Sequence, residues 1–472
     1  MVLLRGTHAG SIRGHGFGGA ARSVARYVRL KLNRLADSPQ HEPRFLLLLA
    51  SKLGYQTRSF AEAARRLGAE VILGSDRCHQ LDDPWADGAI PLHFEEPPEA
   101  AERLAQAVRA RAGGKSRGAI LALGDRQTVT AAYAARLLGL PYNSPEAVES
   151  CRSKLRQREL LSGAGLPVPV FFSFALAEPL DSVVRRVAFP CVVKPLRLSA
   201  SQGVIRANDR GEFIAAVERI ARLLSSAELQ VTREGDLDRL LVERYVPGVE
   251  VAVEGLLEAG RLRVLTLFDK PDPLEGPYFE ESIYVTPSRL PPAAQERIAR
   301  CAAESVRALG LSEGPVHAEF RLNDEGPWVL EIAPRPIGGL CSRVLRFGRE
   351  RMFLEELLIR KALGLPGADV QREADAAAVM MIPVPRSGIL EKVEGTPEAG
   401  ALPGIIEIQI TARPHDYIAA WPEGSSYLGF IFSRGITPEA AEAALREAHR
   451  ALRFTIVPRL PVAHPVSGAT HG

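Results

Sequence analysis

The 472-residue chain is long enough for roughly three domains of ordinary size, and 46% hydrophobic with 24% charged residues is the composition of a soluble globular protein with sizeable cores. A net charge of +3 gives no ground for a nucleic-acid partner or for an acidic membrane surface. The five scattered cysteines (Cys78, Cys151, Cys191, Cys301, Cys341) lack CxxC spacing and speak against a disulfide framework or zinc site, so a reducing cytoplasm is expected, and no apolar run approaches the roughly 20 residues that span a bilayer.

Residues 1–42 hold seven Arg or Lys against Asp37 and Glu42, with no hydrophobic stretch, which excludes an ordinary secretory signal. The segment is expected to be a poorly ordered basic extension with no part in the mechanism. From residue 45 strand and helix alternate: strand 45–50, helix 60–67, strand 70–73, helix 98–112, strand 119–123, helix 128–138. That is a parallel α/β domain over 43–149. Gly124, Asp125 and Arg126 stand at the carboxyl end of a strand, where open α/β sheets place ligands; Asp125 as a plain helix cap is the competing reading.

A charged helix over 150–165 carries Lys154 and marks a domain boundary. The strand 189–195 is apolar until Lys194. Ser199, Ala200, Ser201, Gln202 and Gly203 follow, the composition of a loop whose backbone N–H groups fold over phosphates, although the GxxxxGK[ST] spacing is absent. After a helix over 211–225, residues 240–254 read as strand, turn at Pro247-Gly248 and strand, with Glu243 and Glu250 on either side. A strand 263–268 leads to a long irregular passage, 269–289, that contains Glu280 and Tyr284; such loops are often functional.

Past a helix over 292–309, residues 314–339 form the most informative stretch. Val316, Ala318, Phe320 and Leu322 alternate with His317, Glu319 and Arg321, a turn follows at 323–326, and 328–332 runs back. Pairing across that hairpin brings Glu319 opposite Glu331, at about 5 Å between facing residues. Two such carboxylates repel unless a cation joins them, and magnesium, which takes one or two carboxylates and fills its shell with water and phosphate oxygens, suits them. An exposed hairpin with solvated acids is the plain alternative. Arg335 adds a planar cation for a carboxylate or phosphate, and Gly338-Gly339 lets backbone approach a ligand. A helix 353–363 and a β-rich unit from 376 complete the chain, with a frayed tail at 460–472.

In this order, Lys154, Val193-Lys194-Pro195 with its Ser/Gly loop, the 243–250 segment, Glu319 and Glu331-Ile332-Ala333-Pro334-Arg335 resemble the ATP-grasp superfamily, and within it the carboxylate–amine ligases of the L-amino-acid ligase and carnosine-synthase-like group. The resemblance covers roughly 43–458 and implies an α/β and α+β architecture: an N-terminal parallel α/β domain (43–149), a central ATP-grasp domain (150–370, with its lid at about 189–250) and a small C-terminal α+β domain (371–459). It implies ATP and Mg2+ or Mn2+ as cofactors. Lys154 and Lys194 match phosphate ligands, and Ser199, Ser201, Gln202 and Gly203 the closing loop. Glu243 matches the residue near the adenine amino group, beside the backbone of Tyr245 and Val246, and Glu250 the ribose-binding acid. Glu319 and Glu331 match the metal ligands, and Arg335, with Lys194 and Glu331, the catalytic set. Glu280, Tyr284, His317, Arg335, Gly338 and Gly339 are the substrate-pocket candidates.

Ala333 departs from the pattern, since many ATP-grasp enzymes carry Asn there; one metal ligand is then missing or replaced by water. The implied reaction joins a small-molecule carboxylate to an amine through an acyl phosphate, releasing ADP and phosphate. Many relatives are dimers, so a homodimer is an expectation. A bicarbonate-activating carboxylase and a nucleotide sensor without turnover are the alternatives.

Overall fold

The computed structural model describes residues 44–51, 55–76, 89–112, 117–366 and 369–458. The basic extension, the tail beyond 458 and Cys78 lie outside them.

The first layer is a parallel sheet in the order Ile90–Pro91, Ala69–Ser75, Arg44–Leu49, Arg117–Ala122. The unbroken apolar run 45–49 reflects burial on both faces. Phe45, Leu47 and Leu49 pack under the helices Pro97–Ala112 and Asp125–Leu138. Leu46 and Leu48 face the other way, into a core shared with the helices Tyr55–Arg66 and Leu354–Ala362. The helix that follows the hairpin in sequence therefore closes the first layer.

The single helix expected over 150–165 is two, Pro145–Arg152 and Lys154–Gly163. Ser153 breaks them because its extended backbone lets its hydroxyl cap the second helix at the Arg156 N–H. Lys154 becomes a first-turn residue, 9% exposed.

Residues 240–254 form the two expected strands, in different sheets. Arg239–Arg244 lies between Phe171–Ala175 and Cys191–Pro195 in a four-stranded antiparallel sheet that ends with Ile205–Ala207 and carries the helix Arg210–Leu224. Val249–Glu258 belongs to a different, eight-stranded sheet. The segment 245–248 is a link between the two. Gly248 permits it: φ is +126°, and a Cβ there would stand 2.2 Å from the Leu322 carbonyl oxygen.

The eight strands run in the order Gly326–Ala333, Gly314–Asn323, Val249–Glu258, Arg261–Lys270, Ile283–Thr286, Ala376–Ile382, Gly429–Gly435, Ile405–Ile410. Two expectations change here. The passage 269–289 contains a strand, Ile283–Thr286, paired to Ala376–Ile382. Three strands beyond residue 371 continue the central sheet, while Gly388–Glu394, Tyr417–Ile418 and Arg453–Val457 form a small sheet of their own.

Candidate active site

The site lies where the two antiparallel sheets face each other. Glu319 and Glu331 are direct register partners, and a bulge just beyond Glu319 shifts the following pairs. Neighbouring strands put like-facing polar residues in rows: His317 opposite Glu254 and Arg321 opposite Glu250, with Glu250 in turn opposite Lys270. Lys270 is the hub. Its ammonium donates to Glu250 at 2.8 Å and to Glu281, and stands 3.3 Å from Glu319. The three carboxylates each place an oxygen within 4.8 Å of the others, the one group of metal-ligand type among the described residues.

Burial would expel the charge on Lys270, but three carboxylates outweigh it and hold the amine well above its ordinary range. Glu319 is held well below the usual carboxylate range, because Lys270 and His317 overcome the cost of burial. Glu281 moves the other way, up to about 7, through burial and then repulsion from Glu319. The Tyr284 hydroxyl donates to it at 2.6 Å. His317 rises to about 9, since Glu254 and Glu319 more than offset its burial. Glu254 also accepts the Ile337 N–H, at 3.3 Å, so the strand floor reaches the Gly338-Gly339 turn.

A cleft between the sheets is lined by Val192, Val246, Phe279 and Leu330, with Lys154, Lys194, Ser199, Ser201, Glu243, Tyr245, Glu250, Glu319, Arg321 and Glu331 around them. Apolar walls with cations and carboxylates at one end suit a nucleotide. Lys194 donates to Glu243 at 2.7 Å, and the buried Arg158 grips the other Glu243 oxygen at 2.7 Å. Glu243 stays ionised: both cations outweigh its burial. Lys154 donates to the Leu198 carbonyl at 2.6 Å and stands 3.9 Å from Glu331.

A second cavity, of about 540 Å³, opens beyond it and shares five wall residues: Leu198, Ser199, Ser201, Glu319 and Glu331. It takes in Gln202, Glu281, Tyr284, His317, Arg335, Gly338 and Gly339, and Cys341 at its apolar side with Met381 and Phe430. Of the residues singled out from the sequence, Gly203 and Glu280 line neither space. Glu281 faces the cavity where Glu280 was expected, and Gly203 instead donates its N–H to Pro422 at 3.0 Å. Glu243 and Glu250 border the cleft, with their carboxylates engaged by Arg158 and Lys194 and by Lys270 and Arg321.

Asp125 is not a helix cap. Gly124 precedes the helix without a side-chain cap bond, and the Asp125 carboxylate receives Arg335, Nε to Oδ1 at 2.6 Å and Nη2 to Oδ2 at 3.2 Å. Periodicity and motif gave no site role to Lys270, Glu281, Arg158, Arg321 or Glu254, which the fold brings to the cleft and cavity. One signal was available: Lys270 ends an apolar strand as Lys194 does.

Magnesium fits as far as these residues go. Lys270 neutralises the three-carboxylate group, and Glu331, 29% exposed at its side chain, faces Glu319, 19% exposed, over the shared wall. Oxygen donors open to a solvent-filled space are what magnesium requires.

Three family models match the chain in the order the fold suggests: an ATP-grasp N-terminal domain at 61–142, an ATP-grasp domain at 187–344 and an L-amino acid ligase C-terminal domain 2 at 380–457. The chain carries ATP-grasp domains. The solved L-amino acid ligase of Bacillus licheniformis superposes with a TM-score of 0.75 and 26% identity, covering 89% of this chain and 100% of that one. An uncharacterized protein of Sinorhizobium fredii is 26% identical over 88% of this chain and 84% of its own length. Carnosine synthase 1 of Gallus gallus is 29% identical over 82% of this chain, which spans only 43% of that larger relative. This ATP-grasp chain thus shares its three-part organisation with ligases. No helix among the described residues is long and apolar enough to cross a membrane.

Proposed function

We propose that this ATP-grasp chain is an ATP-dependent carboxylate–amine ligase that activates an amino acid as its acyl phosphate and joins it to a second small-molecule amine. The observation that carries the reading is the shared wall. The nucleotide cleft and the larger cavity meet at Ser199, Ser201, Glu319 and Glu331, so an acid in the cavity faces the terminal phosphate of a nucleotide in the cleft. The names of the ligase relatives support the substrate class.

In the first step a carboxylate oxygen of the acid attacks the terminal phosphorus, the bond to the bridging oxygen breaks and ADP leaves. In the second the amine nitrogen attacks the acyl carbon, the carbon–oxygen bond breaks and phosphate departs, while the amine gives up its proton. The chain's part is positioning and charge neutralisation. Lys154 and Lys194 flank the phosphates, and Ser199 and Ser201 close over them. Arg335, held by Asp125, presents its remaining N–H groups to the acyl oxygen. Glu319 and Glu331 would hold a magnesium or manganese ion, which would supply charge neutralisation to the transferring phosphoryl group. Cys151, Cys191, Cys301 and Cys341 are free thiols and ATP is the fuel, so we place the enzyme in the cytoplasm.

The test is phosphate against pyrophosphate release from magnesium-ATP, screened over amino acids singly and in pairs. Phosphate release that requires a pair, with a matching condensed mass, is expected. Pyrophosphate release would replace the acyl phosphate with adenylate chemistry and end this reading.

A further inference from the structure

Three consecutive residues far along the chain hold the loop that covers the nucleotide cleft. Trp421 donates its indole N–H to the Ala200 carbonyl at 3.0 Å. The Pro422 carbonyl accepts the Gly203 N–H at 3.0 Å, and the Glu423 carbonyl accepts the Gln202 side-chain amide at 2.8 Å. The Glu423 carboxylate also receives Arg219 on both oxygens, Nη2 to Oε2 at 2.9 Å, and Arg219 lies on the helix Arg210–Leu224 that backs the loop. The same guanidinium donates to the Tyr278 hydroxyl.

The loop's own backbone calls for such support. Ala200 and Ser201 stand at φ +54° and +53°, a left-handed conformation that side-chain-bearing residues keep only where neighbouring contacts over-determine it. The strap that supplies those contacts is itself fixed. Trp421 is 6% exposed and packs against Tyr427 with ring centroids 5.0 Å apart and planes tilted by 32°, and the Ala420 N–H donates to the Ser387 hydroxyl at 2.9 Å. Immediately past the latch contacts, Ser425, Ser426 and Tyr427 form part of the wall of the larger cavity.

We propose that residues 421–427 are a latch that sets the phosphate-covering loop 198–204 over the nucleotide and ties it to the wall of the substrate cavity, with Glu423 as a positioning residue that acts through Arg219. The proposal rests on the nucleotide reading of the cleft, and it assigns to the C-terminal part of the chain a role in closing the ATP site. Loss of the Arg219–Glu423 pair loosens the loop without removing any residue that touches the phosphates.

Hydrogen–deuterium exchange on the full chain tests this, with no ligand and with magnesium and the non-hydrolysable analogue AMP-PNP. In Glu423→Gln the exchange of 198–204 should rise about threefold, the scale of a partly exposed charge pair, and AMP-PNP should dissociate faster by a similar factor. The reversed pair, Arg219→Glu with Glu423→Arg, should bring both back toward the native values. Trp421→Phe, which keeps the ring and deletes the N–H donor, should raise the same exchange by a separate route. The strand Gly314–Asn323 should stay at its native rate in every variant. Unchanged exchange of the loop in both Glu423→Gln and Trp421→Phe overturns the latch, and so does a rise spread equally over loop and strand. If AMP-PNP fails to bind the native chain, the nucleotide reading falls, while the ligand-free exchange still decides the latch.

Discussion

The floor and the roof of the ATP cleft are built by opposite means. On the floor, strand register alone brings His317, Glu319 and Arg321 against Glu254, Glu250 and Lys270, and each charge is answered by a partner one or two strands away. On the roof, Ser199 and Ser201 sit on a loop with two left-handed residues, held by groups more than two hundred positions further on. A site that must keep ionised acids in place gains from the first arrangement, because register cannot slip without turning every side chain to the other face. A site that must admit and release a nucleotide needs the second, since loop contacts open at small cost.

The largest expected effect falls on the floor. Lys270→Met removes the one cation shared by Glu250, Glu281 and Glu319, leaving only Arg321 beside Glu250 and His317 beside Glu319, and breaking a buried ion cluster in this way costs about 3–5 kcal/mol of stability. Chemical denaturation should show that loss, and a native midpoint would mean that water, not Lys270, compensates the acids. Glu331→Ala should cut ATP-dependent phosphate release by roughly 10²–10³-fold, the usual weight of one electrostatic stabiliser, while leaving the melting curve in place. Undiminished turnover would remove Glu331 from the site.

Smaller effects lie at the edges of the cavity. Asp125→Asn frees Arg335 from its bidentate partner and should lower kcat about tenfold with little change in KM for ATP, because charge-assisted bonds of this kind are worth about 1.5–3 kcal/mol and only part of that reaches the transition state. Equal loss in both parameters would point to a structural role. The smallest effect is outside the cavity wall, at Glu280, which burial pushes from 4.5 up to about 7. Its folded-state value lies above the unfolded one, so the half-buried acid is tolerated below about 4.5 and becomes a liability as the pH rises through 7. Glu280→Gln should therefore gain melting temperature over the native chain as pH increases, with the difference vanishing below about 4.5. A constant difference across that range would show that Glu280 titrates normally.

Much of the floor was legible in the sequence. The period-two pattern of 316–322 and the turn at 323–326 are local, and a local pattern of that kind determines which residues face each other, so Glu319 opposite Glu331 followed directly. The two strands around 245–248 were legible too, but not their partners. Strand, Pro-Gly and strand look alike whether the second strand folds back on the first or crosses to another sheet, and only the pairing in the folded chain distinguishes them. The single helix expected over 150–165 failed on a subtler point: Ser153 is an acceptable helix residue by propensity, and its use as a cap depends on the Lys154 N–H reaching the Leu196 carbonyl across the site.

By itself the sequence determined the strand faces, the order of the parts and the charged residues that a phosphate-handling site requires, because periodicity and composition act over a few residues. The tertiary structure decided which of those charges meet. Asp125 and Arg335 are 210 positions apart, Trp421 and Ala200 are 221, and Lys270 finds Glu250 on the next strand and Glu319 on the one beyond rather than on its own. Coulomb and hydrogen-bond energies depend on distance in space, and chain separation sets no such distance until the sheets have formed.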